Sequence, residues 1–289
     1  MSSKYTHLPK NIIAFQGVPG ANSDLACRQA YPYMDTKAFA SFEDVFDAVE
    51  QGECDLGMIP IENSQAGRVA EIHHLLPNKN VHIVGEYFQR IEHFLVAPKG
   101  ASLKTVKTLY SHPQALMQCR KYIKKHKLHT EAYSNTALAA KHVAEWKDPS
   151  KGAIASHLAA ELYGLEILAR NIEDASDNTT VFIAISKEPV HPDPAKGKVV
   201  TSLLFTIRNI PAALYKALGG FATNGVNLLK LESYIPGGKS SSAQFYVSFE
   251  GDPSERKVQL ALEELGFFCK KVKVLGVYLA DPARKQDDI

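Results

Sequence analysis

The sequence predicts an α/β fold over roughly its first 186 residues and a smaller α+β unit behind it. Three observations predict this. Short apolar runs alternate with amphipathic helical stretches along most of the chain. The stretch 186–198 holds Pro189, Pro192, Pro194 and Gly197, which neither helix nor strand tolerates. Beyond it the pattern runs strand, helix, strand, strand, helix, strand. The expected domains are 1–188 and 199–281.

Residues 11–16 read as a short strand and 23–31 as a helix opened by Ser23. Residues 42–51 form a helix with Phe42, Val45, Phe46 and Val49 on one face. Residues 56–61 are a short apolar strand, and 81–96 a long extended run containing Gly85. A strand at 106–110 leads into a helix at 113–126. Pro113 suits its first turn, where a missing N–H costs nothing. Residues 136–145 form another helix, 152–156 precede one at 158–163, and 181–186 close the set. In the tail, Leu203, Phe205 and Ile207 alternate, then Leu214, Ala217, Leu218 and Phe221 make a helical stripe. Residues 226–234 are a strand, followed by a turn at Gly237-Gly238. Phe245, Val247 and Phe249 alternate, Val258, Ala261, Leu262 and Leu265 give a second helix, and 272–279 the last strand. That is the ferredoxin-like order.

The 289 residues are 45% hydrophobic and 22% charged, an ordinary globular composition with apolar residues enough for a core. A net charge of +2 implies no nucleic-acid partner. The basic run 120–127 reads as the solvated face of a helix. No apolar stretch approaches the ~18 residues of a membrane span. The polar start, with Pro9, has no signal-peptide core. Cys27, Cys54, Cys119 and Cys269 form no C-x-x-C pair and read as reduced thiols of a cytoplasmic protein. His73-His74 are adjacent and share no helix face, and His157 with Glu161 is a two-ligand pair at best, so no metal is expected.

Three segments concentrate polar chemistry. In 111–119, Ser111 stands where a helix N-cap belongs, Gln114 lies in the first turn, and Gln118 follows at i+4. The free N–H groups of such a turn attract anions. In 55–67 a buried strand runs into Glu62-Asn63-Ser64 and then Gly67. In 177–185, Asn178-Thr179-Thr180 leads into an apolar strand. Binding sites of such sheets lie beyond strand termini.

Together with the glycine-rich opening at 15–23, these segments resemble prephenate dehydratases, in the order that family shows them, and the tail resembles the ACT regulatory domain. The resemblance implies two α/β lobes, like periplasmic binding proteins, with a cleft between them. One lobe would comprise 11–83 plus 170–186. It also implies decarboxylating dehydration of prephenate to phenylpyruvate, a reaction that needs no cofactor. Thr180 is then the hydroxyl assisting the leaving group, with Thr179 its competitor. Asn63, Ser64, Ser111, Gln114 and Gln118 would hold substrate oxygens. Glu62 would orient Asn63, move a proton or bridge to a cation. His112 would bind substrate, as a general acid, or be a packing or capping residue, and Gly17, Gly20, Ser23 and Phe182 would line the cleft.

Phenylalanine, as feedback inhibitor, would bind through Asn209, Ala213, Leu214, Glu232 and Ser233 between ACT domains of a homodimer or homotetramer. Four departures stand out. Val181 replaces the family's arginine, with Arg28, Arg68 and Arg90 as substitute cations, and Ser134-Asn135-Thr136 lacks an acidic residue. Ala213 replaces a glycine, and Tyr234-Ile235 an Arg-Pro pair. The alternatives are an arogenate dehydratase and a non-catalytic small-molecule sensor.

Overall fold

In a computed structural model, residues 11–234 and 243–284 are described. The expected Gly237-Gly238 turn, Ile235 and the polar start lie outside them. The chain begins with β1 (Ile12–Gln16), α1 (Asn22–Ala30), β2 (Asp35–Phe39), α2 (Phe42–Glu50), β3 (Leu56–Asn63), β4 (Gly67–Arg68) and α3 (Ala70–Leu75). It continues through β5 (His82–Arg90), β6 (Phe94–Ala97), β7 (Thr108–Ser111), α4 (Pro113–Gln118), α5 (Arg120–His126), β8 (His129–Ala132) and α6 (Thr136–Trp146). Then come β9 (Lys151–Ala155), α7 (His157–Tyr163), β10 (Glu166–Ala169) and β11 (Thr179–Ser186). The tail holds β12 (Val199–Ile207), α8 (Ala213–Thr223), β13 (Leu228–Tyr234), β14 (Gln244–Glu250), α9 (Arg256–Phe268) and β15 (Cys269–Leu279).

Three sheets result. One has the order β2-β1-β3-β11-β5, with β4 paired to β3. The second has the order β10-β6-β9-β7-β8, and the third β13-β14-β12-β15. In the third, β12 pairs antiparallel with both β14 and β15, and β13 with β14. With one helix after each outer crossover, this is the β-α-β-β-α-β arrangement that the tail's periodicity predicts.

The chain divides into two compact units: 1–45, 58–68 and 88–182, and then 46–57, 69–87 and 183–289. The division falls within α2, β3, β5 and β11 and just after β4, and not at 186–198.

In the first unit, Phe94, Val96, Ala137, Ala140, Val143, Ala153 and Ala155 form one buried cluster, and Leu95, Leu109, Cys119 and Ile154 another. Alternate residues of β6 therefore serve opposite faces of its sheet. In the second unit, Leu203, Phe205, Phe221, Phe245, Val247, Phe249, Val258 and Leu265 make the core.

Local chemistry explains the boundaries. Ser41 and Asp44 cap α2 reciprocally: Asp44 N donates to Ser41 Oγ at 3.1 Å, and Ser41 N to Asp44 Oδ2 at 3.1 Å. The expected helix 113–126 is two helices. Cys119 is fully buried with φ −110° and ψ 20°, and Lys121 N donates to both oxygens of Asp174, at 3.0 and 3.2 Å, starting a fresh turn. The expected extended run 81–96 breaks at 91–93 into β5 and β6, which join different sheets. α1 starts at Asn22 after Ala21, which makes no side-chain cap bond, so Ser23 does not open it. No helix of the described residues is long and apolar enough to cross a membrane. All four cysteines are buried, and none is in a disulfide.

Candidate active site

The end of β3 and the start of β11 meet as neighbours in the first sheet. Asn63 Oδ1 accepts from Gln65 N at 3.1 Å and Ala66 N at 2.9 Å, which fixes its amide. Its Nδ2 therefore faces the other way. It donates to Asn178 Oδ1 at 2.8 Å and to Thr180 Oγ1 at 2.9 Å. Ser64 clips the same strands together: its N donates to Thr179 O, its Oγ donates to Asp177 O at 3.1 Å and accepts from Thr179 N at 3.0 Å. Thr179 Oγ1 reaches back to Asp177 O at 3.4 Å. Thr180, 9% exposed, accepts from Asn63, and among the described residues its own proton has no acceptor. A hydroxyl that accepts a hydrogen bond becomes a better donor. Glu62 stands opposite Arg68 in the short β3–β4 ladder.

The second motif is built differently from its sequence expectation. Ser111 is completely buried, and its hydroxyl donates to Ile154 O at 2.6 Å. It neither caps α4 nor faces outward. The cap is His112, whose Nδ1 accepts from Gln114 N at 3.2 Å, so the imidazole acts as a helix cap. Gln118 Oε1 lies 2.8 Å from Nε2 of buried His93, and Gln118 O accepts from Asp174 N at 2.7 Å. Burial lowers the His93 pKa and favours the neutral ring, and the tautomer with its proton on Nε2 is the one that donates to Gln118 Oε1. Ile91 N, two residues before His93, donates to Asn178 O at 2.8 Å. The three motifs are thus joined in one run: Thr180, Asn63, Asn178, then 91–93, then Gln118.

Several expected wall residues do other work. Gly20 is buried with φ +86°, and a Cβ there would stand 2.9 Å from Ala159 Cα. Its carbonyl accepts from Ser156 Oγ at 2.6 Å and its N donates to Asp24 Oδ2 at 2.8 Å. It is a packing contact on α7. Gly17 is partly exposed with φ +122°, beside the amide of Asn135, which caps α6. Ser23 is partly exposed in the first turn of α1. Phe182 is 1% exposed and belongs to the core, because strand alternation puts it on Thr180's side of β11 but deeper. The same alternation puts Val181 on the opposite face, so the missing arginine is not a missing neighbour of Thr180. Arg28 pairs with Asp24 at 2.9 Å and Arg90 with Glu173 at 3.6 Å.

In the second unit, Asn209 and Ser233 are exposed and Leu214 half-buried. Ala213 is buried in the first turn of α8, and it is Ala212 that takes positive φ, at 58°. Glu232 lies 3.0 Å from His73 Nε2 and 3.0 Å from Lys230 Nζ. Sequence reasoning passed over His93, hidden in an apparently continuous strand, and gave Asn178 no role of its own. Among the described residues no group of three or more His, Cys, Asp and Glu could hold a metal ion.

Residues 13–190 match the family described as prephenate dehydratase. The bifunctional N-acyl-homoserine lactone acylase/prephenate dehydratase of Komagataeibacter europaeus is 47% identical over 277 residues, covering 96% of this chain and 99% of that protein. Arogenate dehydratase 2 of Petunia hybrida is 39% identical over 289 residues, covering 93% of this chain and 72% of that protein. The solved structure of an Arthrobacter aurescens prephenate dehydratase in complex with L-Phe has a TM-score of 0.85 at 28% identity, covering 96% of this chain and 92% of that one. The chain belongs to the prephenate dehydratase family, a family of lyases.

Proposed function

We propose that this protein converts prephenate to phenylpyruvate, carbon dioxide and water, with Thr180 assisting departure of the ring hydroxyl. The observation that carries the reading is the Asn63–Thr180 hydrogen bond, with the threonine proton left without an acceptor among the described residues. In the reaction the bond from ring carbon to carboxylate breaks and its electron pair enters the ring. The ring C–O bond breaks as aromaticity forms, and one proton, drawn ultimately from solvent, turns the departing hydroxide into water while the Thr180 hydroxyl donates a hydrogen bond to it. A threonine is too weak an acid to give its proton fully in water. It acts here as a preorganised donor in a dry site, where such a bond is worth more. Gln118, held by His93, supplies an uncharged amide donor to a substrate carboxylate. Asn63 acts through its hydrogen bond to Thr180, and Ser64 through the loop it fixes.

Arogenate, with an amine where prephenate has a keto group, is the second reading. It is favoured by the similarity to the Petunia arogenate dehydratase. No side chain at the site distinguishes the two. The acylase activity in the name of the Komagataeibacter relative is a further substrate class to include in the assay.

Feedback inhibition by phenylalanine fits the β-α-β-β-α-β tail, read as an ACT domain over 199–281, and fits the L-Phe held by the Arthrobacter enzyme. Asn209, Leu214 and Ser233 are the side chains best placed to touch it, and Ala213 contributes backbone. A homodimer or homotetramer in the cytoplasm is the assembly this reading carries. The test is phenylpyruvate formation from prephenate by the purified protein, with and without phenylalanine, and with arogenate in parallel. Turnover suppressed by phenylalanine supports both halves of the reading. No turnover on either substrate overturns it.

A further inference from the structure

Asn178 is 1% exposed, and its side chain is caught between two constraints. Asn63 Oδ1 is committed to the N–H groups of Gln65 and Ala66, so only its NH2 group can face Asn178. Asn178 must answer with Oδ1, as the 2.8 Å contact requires. The reverse orientation would set two NH2 groups against each other. Its main chain is tied as well, since Asn178 O accepts from Ile91 N at 2.8 Å. In this orientation Asn178 Nδ2 is buried and makes no hydrogen bond among the described residues. A buried donor left unpaired is unfavourable, so packing alone does not explain an amide here. A carboxylate would accept from Asn63 equally well and leave no orphaned donor. It would also set a negative charge beside Thr180.

We propose that Asn178 is a positioning residue for the dehydration: its Oδ1 holds the Asn63 amide onto Thr180 Oγ1, and its neutrality keeps the site open to a dianionic substrate. The inference rests on the dehydratase reading above. Asn178 acts through Asn63, and Asn63 through the threonine hydroxyl. The unpaired Nδ2 is what remains when the site needs an acceptor without a charge.

The two halves of the proposal predict different kinetic signatures. Asn178→Ala removes the acceptor, so the Asn63 amide is free to leave Thr180. The prediction is a kcat lowered about 10- to 100-fold with KM for prephenate little changed, the scale of loss from a small misplacement. Asn178→Asp keeps the acceptor and adds a charge. It lowers kcat less than alanine does and raises KM for prephenate about tenfold. Crystal structures of both variants give a readout that needs no turnover: Asn63 Nδ2 leaves Thr180 Oγ1 in the alanine variant and stays in the aspartate variant.

An alanine variant with kcat within twofold of wild type, or with the Asn63–Thr180 contact intact, overturns the positioning role. An aspartate variant with unchanged KM overturns the role of neutrality. If the alanine variant does not fold, Asn178→Ser, which is too short to reach Asn63, takes its place under the same criteria. If the wild-type protein turns over neither prephenate nor arogenate, the dehydratase reading fails by itself, and the crystal structures still decide whether Asn178 holds Asn63.

Discussion

At the scale of single residues, hydrogen-bond direction decides more than residue type. Two threonines compete at 179 and 180, and the sequence alone leaves either free to act. The structure gives Thr179 a turn to brace and Thr180 a donor in Asn63. Thr180→Ala should therefore lower kcat about 10²- to 10⁴-fold, the range for losing an acid–base group, while Thr180→Ser keeps a measurable fraction. Equal activity of the alanine and serine variants would show that the hydroxyl plays no part.

His93 supports a pH prediction. Its folded pKa lies below its ordinary 6.5, so below that pH the unfolded chain binds more protons than the folded one. Stability conferred by the neutral ring is complete above about 6.5 and is lost as pH falls through the lower folded value. His93→Asn should flatten this acid limb, as denaturant titrations from pH 7 to 5 would reveal. The polar residues of the site were legible in the sequence because Glu62-Asn63-Ser64, Ser111 to Gln118 and Asn178 to Thr180 are local motifs. Their partners were not, since Ile154, His93 and Asp174 come from distant segments.

At the scale of elements, periodicity located the tail's strands and helices well, because one hydrophobic core supports every one of them. It failed where a polar group from elsewhere cuts an element, as Asp174 does at α5, and it missed β2 and β8, whose residues are mostly exposed. Such edge strands carry no alternating apolar pattern. Close approach of elements is equally invisible in the sequence. Within the second unit β15 passes β5 at Gly276, where an added Cβ would fall 2.0 Å from Ile83 O. The clashing atom is backbone and cannot swing aside. Gly276→Ala should cost about 1–3 kcal/mol or more by overpacking. A melting temperature lower by several degrees would register it, whereas an unchanged one would mean that β15 and β5 are not so close in solution.

At the scale of the whole chain, the Pro-rich stretch 186–198 suggests a clean boundary, yet 46–57 and 69–87 cluster with 183–289. The reason lies in specific contacts within that unit. Lys273 Nζ donates to the carbonyls of Leu76, Pro77 and Lys79, at 3.4, 3.3 and 2.9 Å. Glu86, whose side chain is 1% exposed, is held by Arg284 and by Asp281 N at 3.1 Å. Removing one partner of a buried ion pair leaves an uncompensated charge, worth about 3–5 kcal/mol, whereas replacing both with apolar or neutral groups is far milder. Arg284→Met should therefore destabilise strongly, toward the lower end of that range because Asp281 N remains. The Glu86→Gln/Arg284→Met double variant should recover much of the loss. The same contacts predict the fate of a fragment ending at residue 198. It loses the partners of Glu86 and the lysine that gathers three carbonyls, so it should unfold at lower denaturant than the full chain, with a broadened transition. Were the fragment as stable and as cooperative as the full chain, the proline-rich stretch would be the true limit of an independent folding unit, and these contacts would be incidental to it.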